Sequence, residues 1–159
     1  MNLQYLSEQV GHRLLEKRLW LATAESCTGG WISQSITDIA GSSQWFDRGF
    51  VTYSNEAKQD MLSVSQDTLA QYGAVSEQTV IEMVRGALAN SRADVVVAVS
   101  GIAGPTGGTP DKPVGMVWLA WGLRGEEPAT QVEHYLGNRF EVRQQTVETA
   151  LQGILKLLA

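Results

Sequence analysis

The sequence predicts an α/β protein, a single-domain three-layer α/β/α sandwich over residues 1–159 with a mixed, mainly parallel sheet. Three observations carry this expectation. After Asp94, Val95-Val96-Val97-Ala98-Val99 is a continuous apolar, mostly β-branched run, the pattern of a strand covered on both faces. Segments with apolar residues three and four apart stand before, between and after the strand-like runs, which puts helices on both faces of one sheet. The short apolar run Leu19 to Thr23 leads into Ala24-Glu25-Ser26-Cys27-Thr28-Gly29-Gly30, a strand-to-helix corner.

The elements follow in order. Leu3, Leu6, Val10 and Leu14 recur at helical spacing, so residues 2–18 read as an amphipathic helix feeding a strand over 19–24. Ile32, Ile36 and Ile39 mark the helix after the corner, and Thr37 to Ser43 its end and a loop. Gly49 to Tyr53 has strand composition, and Ser54 can cap a helix containing Lys58, Met61 and Leu62. A second cap, Ser76, opens a helix in which Val80, Met83, Val84, Ala87 and Leu88 form a stripe facing the sheet. After the valine strand and the Gly- and Pro-rich stretch 101–113, Val114 to Trp121 resumes as a strand, and Thr130 to Tyr135 alternates like an edge strand. Asn138 with Glu141 resembles a capping box for the last helix, which Phe140, Val147, Leu151, Ile154 and Leu158 line on one face.

Composition narrows the function. With 17 acidic against 12 basic residues the formal charge is −5 and no basic block exists, which argues against a nucleic-acid surface. No apolar stretch approaches the ~20 residues of a membrane span, and the first ten residues lack the order of a signal peptide. A cytoplasmic protein is expected. One cysteine and two histidines give no basis for a metal cage, so no metal or other cofactor is expected.

In open α/β sheets ligands collect at the carboxyl ends of strands. Ser26 follows the first strand, Tyr53 ends the second and precedes Lys58 by one helical turn, and Ser100-Gly101-Ile102-Ala103-Gly104 leaves the valine strand. Around Ser26, the backbone N–H groups of Cys27, Thr28, Gly29 and Gly30 are candidates to hold an oxyanion, since glycine lets a substrate approach the main chain. Read alone, these seven residues favour an ordinary βα turn with Ser26 or Thr28 as helix N-cap.

A serine nucleophile needs a base, and neither His12, in the first helix, nor His134, on the edge strand, lies at such a strand end. Lys58 is the remaining candidate. An unperturbed lysine is neutral in only about one molecule in 2,500 at pH 7, a penalty of roughly 4.6 kcal/mol. Burial and a helix N-terminus both lower that pKa. Tyr53 is placed to hydrogen-bond the amine or pass a proton. The competing readings are a solvated helix lysine and an aromatic packed in the core. Cys27 is a rival nucleophile; because neighbours on a tight turn point apart, Ser26 is favoured and Cys27 is expected to pack behind it.

The loop from Gly101 to Thr109 can wrap an anion with main-chain N–H groups, though it matches neither a P-loop nor a dinucleotide fingerprint. Arg139 and Arg143, four apart at the opening of the last helix, can meet a phosphate or simply face solvent. Ser100, Gly101, Gly104, Thr106 and Arg139 are therefore the substrate-binding candidates. Among the five tryptophans, Trp45 with Phe46 in a polar loop is the candidate subunit contact.

Several ordered segments together resemble the C-terminal domain family of the competence/damage-inducible protein CinA: Ala24 to Gly30, Gly41-Ser42-Ser43, Gly49 to Lys58, Tyr72 to Ser76, Ser100 to Pro105 and Lys112 to Gly115. The resemblance extends over nearly the whole chain. It implies an α/β/α fold, a homodimer, and hydrolysis of nicotinamide mononucleotide (NMN) to nicotinate mononucleotide and ammonia in the pyridine nucleotide cycle. It also implies Ser26 as nucleophile with Lys58 and Tyr53 handling protons. Two other readings stay open at this point: a nucleotide-binding paralogue without turnover, and an amidase for another small amide.

Overall fold

A computed structural model describes residues 2–159. The chain runs α1 (Leu3–Lys17), β1 (Leu21–Glu25), α2 (Trp31–Thr37), β2 (Phe46–Val51), α3 (Asn55–Leu62), α4 (Gln66–Tyr72), α5 (Glu77–Ala89), β3 (Val95–Gly101), β4 (Met116–Leu123), β5 (Ala129–His134) and α6 (Arg139–Leu157), with a 3-10 turn at Ser42–Gln44. The sheet has five strands in the order β2-β1-β3-β4-β5. β1 pairs in parallel with both β2 and β3, whereas β4 is antiparallel to β3 and to β5. Four strands thus point one way and β4 alone is reversed, so the mixed sheet is mainly parallel in direction and evenly divided in its pairings.

β3 is the centre, as its composition predicts. Val95, Val97 and Val99 face one apolar cluster, shared with Leu6, Val10 and Leu14 of α1, Ile32 and Ile36 of α2, and Val147, Leu151 and Ile154 of α6. Val96 and Ala98 face the other, shared with Leu62 of α3, Leu69 of α4 and Val80, Met83, Val84 and Ala87 of α5. Period-two alternation on a strand buried on both faces fixes its register, because a slip of one residue would exchange the two sets. Each fully buried aliphatic side chain contributes about 1.5–3 kcal/mol, so the two clusters dominate the stability of the sandwich.

The predicted caps form. Ser54 Oγ accepts from Ala57 N, Ser76 Oγ from Thr79 N, and Asn138 with Glu141 completes a reciprocal capping box. Gly86 has a structural reason: a Cβ there would lie 1.9 Å from the Leu62 carbonyl oxygen, so only glycine lets α5 settle onto the end of α3.

Some details differ from the sequence expectation. β2 spans Phe46–Val51 rather than beginning at Gly49, and its pairing with β1 shifts register between Leu21 and Ala22. α4 (Gln66–Tyr72) has no counterpart in the sequence expectation. Trp45 is no surface contact: it is 2 % exposed, its indole lying over Gly11 of α1, where a Cβ would come within 2.7 Å of the ring. Phe140 is 57 % exposed and Val142 takes its place in the core. No helix of the described residues is long and apolar enough to cross a membrane.

Candidate active site

The β1 corner is built around Glu25, the last residue of the strand and completely buried. Its Oε1 accepts from Thr28 Oγ1 (2.6 Å), Gly30 N (3.2 Å) and Ile32 N (2.9 Å), and its Oε2 from Ser33 N (2.9 Å) and Ser33 Oγ (2.8 Å). The carboxylate therefore caps α2 from below, satisfying N–H groups that a helix start leaves open, where the helix dipole favours a negative charge. This corrects the capping alternative for Ser26 and Thr28: the N-cap position is Gly30, with φ +103 and no side-chain cap of its own. Gly29, at φ +60, makes the preceding turn.

Ser26 is thereby free for another partner. Lys58, on the first turns of α3, is 1 % exposed, and its Nζ lies 2.9 Å from Ser26 Oγ, 2.9 Å from the Thr52 carbonyl oxygen and 3.3 Å from that of Tyr53. Among the described residues no salt bridge reaches it. Burial pulls the Lys58 pKa down from 10.5 to about 8. At pH 7 about one molecule in ten then carries a neutral amine, and the penalty shrinks from roughly 4.6 to about 1 kcal/mol. Cys27 is buried, and burial pushes its thiol up to about 12, so it is held as an inert thiol in the core.

Tyr53 enters differently from the sequence expectation. Its carbonyl oxygen, not its phenol, meets the lysine amine and also accepts from Ser26 Oγ at 3.5 Å. The side chain is 64 % exposed, and its hydroxyl accepts from Arg139 Nη2 at 3.4 Å. Arg139 Nη1 also donates to the Gly104 carbonyl (2.8 Å), which ties the start of α6 to the glycine-rich loop.

Ser26, Cys27, Tyr53 and Lys58 line one cleft of about 260 Å³ with Ala74, Val75, Ser100, Gly101 and Ala103. The structure thus brings together the three strand ends. It does not bring all the loop candidates in: Thr106 is exposed on the loop outside the cleft lining, and Gly104 is engaged through Arg139. The oxyanion candidates narrow as well. Gly29 N donates to the Ser26 carbonyl (3.1 Å) and Gly30 N to Glu25, which leaves the N–H groups of Cys27 and Thr28. Arg143 turns away from the phosphate role considered with Arg139: its Nε and Nη2 each donate at 3.0 Å to the carbonyls of Cys27 and Thr28.

Glu25 and the Thr52 carbonyl were missed as site residues. The signal for Glu25 was present in its position, an acid closing an apolar strand just before a helix start, where a carboxylate finds unpaired N–H groups. The Thr52 carbonyl has no sequence signal, because any residue there would supply one.

Fold and site define an α/β/α protein with a serine and a buried lysine paired at its strand ends. The chain belongs to the CinA C-terminal domain family, whose model matches residues 3–158. It is 57% identical over 152 residues to nicotinamide-nucleotide amidohydrolase PncC of Escherichia coli K12, covering 96% of this chain and 92% of that protein. The PncC of Pseudomonas putida is 50% identical over 96% of this chain and 94% of its own length. Among solved structures, the competence/damage inducible protein CihA from Agrobacterium tumefaciens superposes with a TM-score of 0.96 at 47% identity, covering 99% of this chain and 96% of that one.

Proposed function

We propose that the protein hydrolyses the carboxamide of NMN to nicotinate mononucleotide and ammonia, through an ester on Ser26. The observation that carries the chemistry is the set of three acceptors around Lys58 Nζ. An ammonium fills all three with its three N–H bonds. A neutral amine keeps two N–H bonds for the Thr52 and Tyr53 carbonyls, and its lone pair then faces the Ser26 hydroxyl. The neutral form is thus oriented as a base by main-chain atoms.

Lys58 accepts the Ser26 proton as Oγ bonds to the amide carbon, and the N–H groups of Cys27 and Thr28 receive the oxyanion. The C–N bond then breaks, and the ammonium of Lys58 returns its proton to the departing nitrogen, which leaves as ammonia. Water attacks the ester, its proton passes to Lys58, and that proton restores the Ser26 hydroxyl. Ala74, Val75 and Ala103 give the cleft small apolar walls suited to a flat ring, while Arg139 and the phenol of Tyr53, at its exposed side, are assigned to the ribose phosphate. The relationship to PncC enzymes supports NMN as the substrate, and the same reading has the protein acting in the cytoplasm as a homodimer in the recycling of pyridine nucleotides.

Ammonia release from NMN tests the proposal. The wild type is expected to turn over, and Ser26→Ala to lose at least about 10³-fold in kcat with its fold retained. Tight binding of NMN without ammonia from the wild type would refute it.

A further inference from the structure

The residues on the far side of the nucleophile turn have no part in the mechanism above, yet they hold it. Glu25 collects the donors of the turn: the Thr28 hydroxyl and the N–H groups of Gly30, Ile32 and Ser33. Arg143 collects its acceptors, the carbonyls of Cys27 and Thr28. The guanidinium is itself fixed, lying over the Trp31 ring at 5.4 Å from its centroid.

The turn separates two hollows. Ser26 and Cys27 line the catalytic cleft, whereas Thr28, Gly29 and Gly30 line a second hollow together with Arg143 and Trp31. The Cys27–Thr28 peptide is trans, so its C=O and N–H point in opposite directions. A bond from Arg143 Nε to the Cys27 carbonyl therefore aims the Thr28 N–H away from the second hollow. A cation on the carbonyl also polarises the peptide and strengthens that N–H as a donor.

We infer that Arg143 is a positioning residue for amide hydrolysis: by holding the Cys27 carbonyl it aims the Thr28 N–H at the oxyanion formed when Ser26 attacks. This rests on the serine mechanism proposed above. The guanidinium touches no reacting atom. Its contribution appears only once negative charge develops on the substrate oxygen, so it acts on kcat rather than on substrate binding. A lysine keeps the charge but supplies a point donor instead of a planar fork, and cannot span both carbonyls in the same way.

The test measures ammonia release from NMN by wild type, Arg143→Lys, Arg143→Gln and Arg143→Ala, with guanidinium chloride added to the last at non-denaturing, millimolar concentration. The expected result is a fall in kcat of about 10²-fold for Gln and Ala, KM within about threefold of wild type, and partial restoration of the Ala variant by guanidinium but not by sodium chloride. Arg143→Lys is expected to fold normally, by thermal melting, and to fall between wild type and Gln. A role limited to holding the fold would show as lowered melting temperature without rescue by guanidinium, and would overturn the inference. So would full kcat in Arg143→Gln from an active wild type, which would leave the proposed function standing. A wild type that releases no ammonia would overturn both.

Discussion

Lys58 Nζ stands 2.9 Å from Ser26 Oγ, buried, and among the described residues no salt bridge compensates its charge. In the proposed mechanism each of these two side chains depends on the other. The serine supplies the third acceptor around a buried ammonium, and the lysine, once neutral, is the base the proposed mechanism assigns to the serine.

The first consequence is a pH profile. The proposed mechanism makes the neutral amine the active form, so kcat/KM for NMN is expected to rise with pH through a midpoint at about 8 and level off above it. Initial rates of ammonia release between pH 6 and 9.5 check this. A profile that is flat or falls between pH 7 and 9 would remove Lys58 as the base.

The same burial carries a stability cost with a defined sign. Below about 8 the lysine is charged in both folded and unfolded chains, and the folded one bears the full desolvation penalty of about 3 kcal/mol. Between about 8 and 10.5 the unfolded chain holds more protons, so stability rises with pH and the penalty is gone above 10.5. Urea unfolding of wild type and Lys58→Met at a series of pH values should show the wild type gaining on the variant across that window. A constant difference would contradict it.

Glu25→Gln is expected to destabilise the protein by about 2–3 kcal/mol, although it changes one atom. The carboxylate accepts from five donors. An amide nitrogen in place of one oxygen sets N–H against N–H, whichever way it is turned. Denaturant midpoints at constant slope measure the loss; a shift below about 0.5 kcal/mol would show that the turn is held by other contacts.

Tyr53→Phe separates the phenol from the carbonyl of the same residue. The carbonyl contacts to Lys58 and Ser26 survive the substitution, while the hydroxyl beside Arg139 is lost. The expected effect is a rise in KM of about tenfold with kcat largely kept. A drop in kcat comparable to that of Ser26→Ala would instead make the phenol part of the proton path.

Much of this was readable in the chain because it depends on neighbours in sequence. The valine run of β3, the stripe of α5 and the caps Ser54, Ser76 and Asn138 are local patterns, and each appears where the pattern puts it. Ser26, Tyr53, Lys58 and Ser100 were legible together because strand ends converge in an open sheet. What failed depends on distant partners. Trp45 sits among polar residues and reads as surface until Gly11 of α1 opens a slot for it. α4 has Leu69 as its single buried residue, too little for a periodicity. The Tyr53 phenol and carbonyl are indistinguishable in sequence, and Arg143 reads as either a phosphate contact or a solvent-facing residue until the β1 corner is seen to lie under it.

Gly86 gives the base a remote determinant. α3 (Asn55–Leu62) bears Lys58 at its middle and meets α5 at its last residue, where the absent methyl group admits the Leu62 carbonyl. A Cβ from Gly86→Ala would overlap the Leu62 backbone and force α3 and α5 apart at that point. On the proposed mechanism the spacing between these two helices sets the alignment of the amine, and Gly86→Ala is expected to lower kcat for ammonia release with every residue of the cleft unchanged.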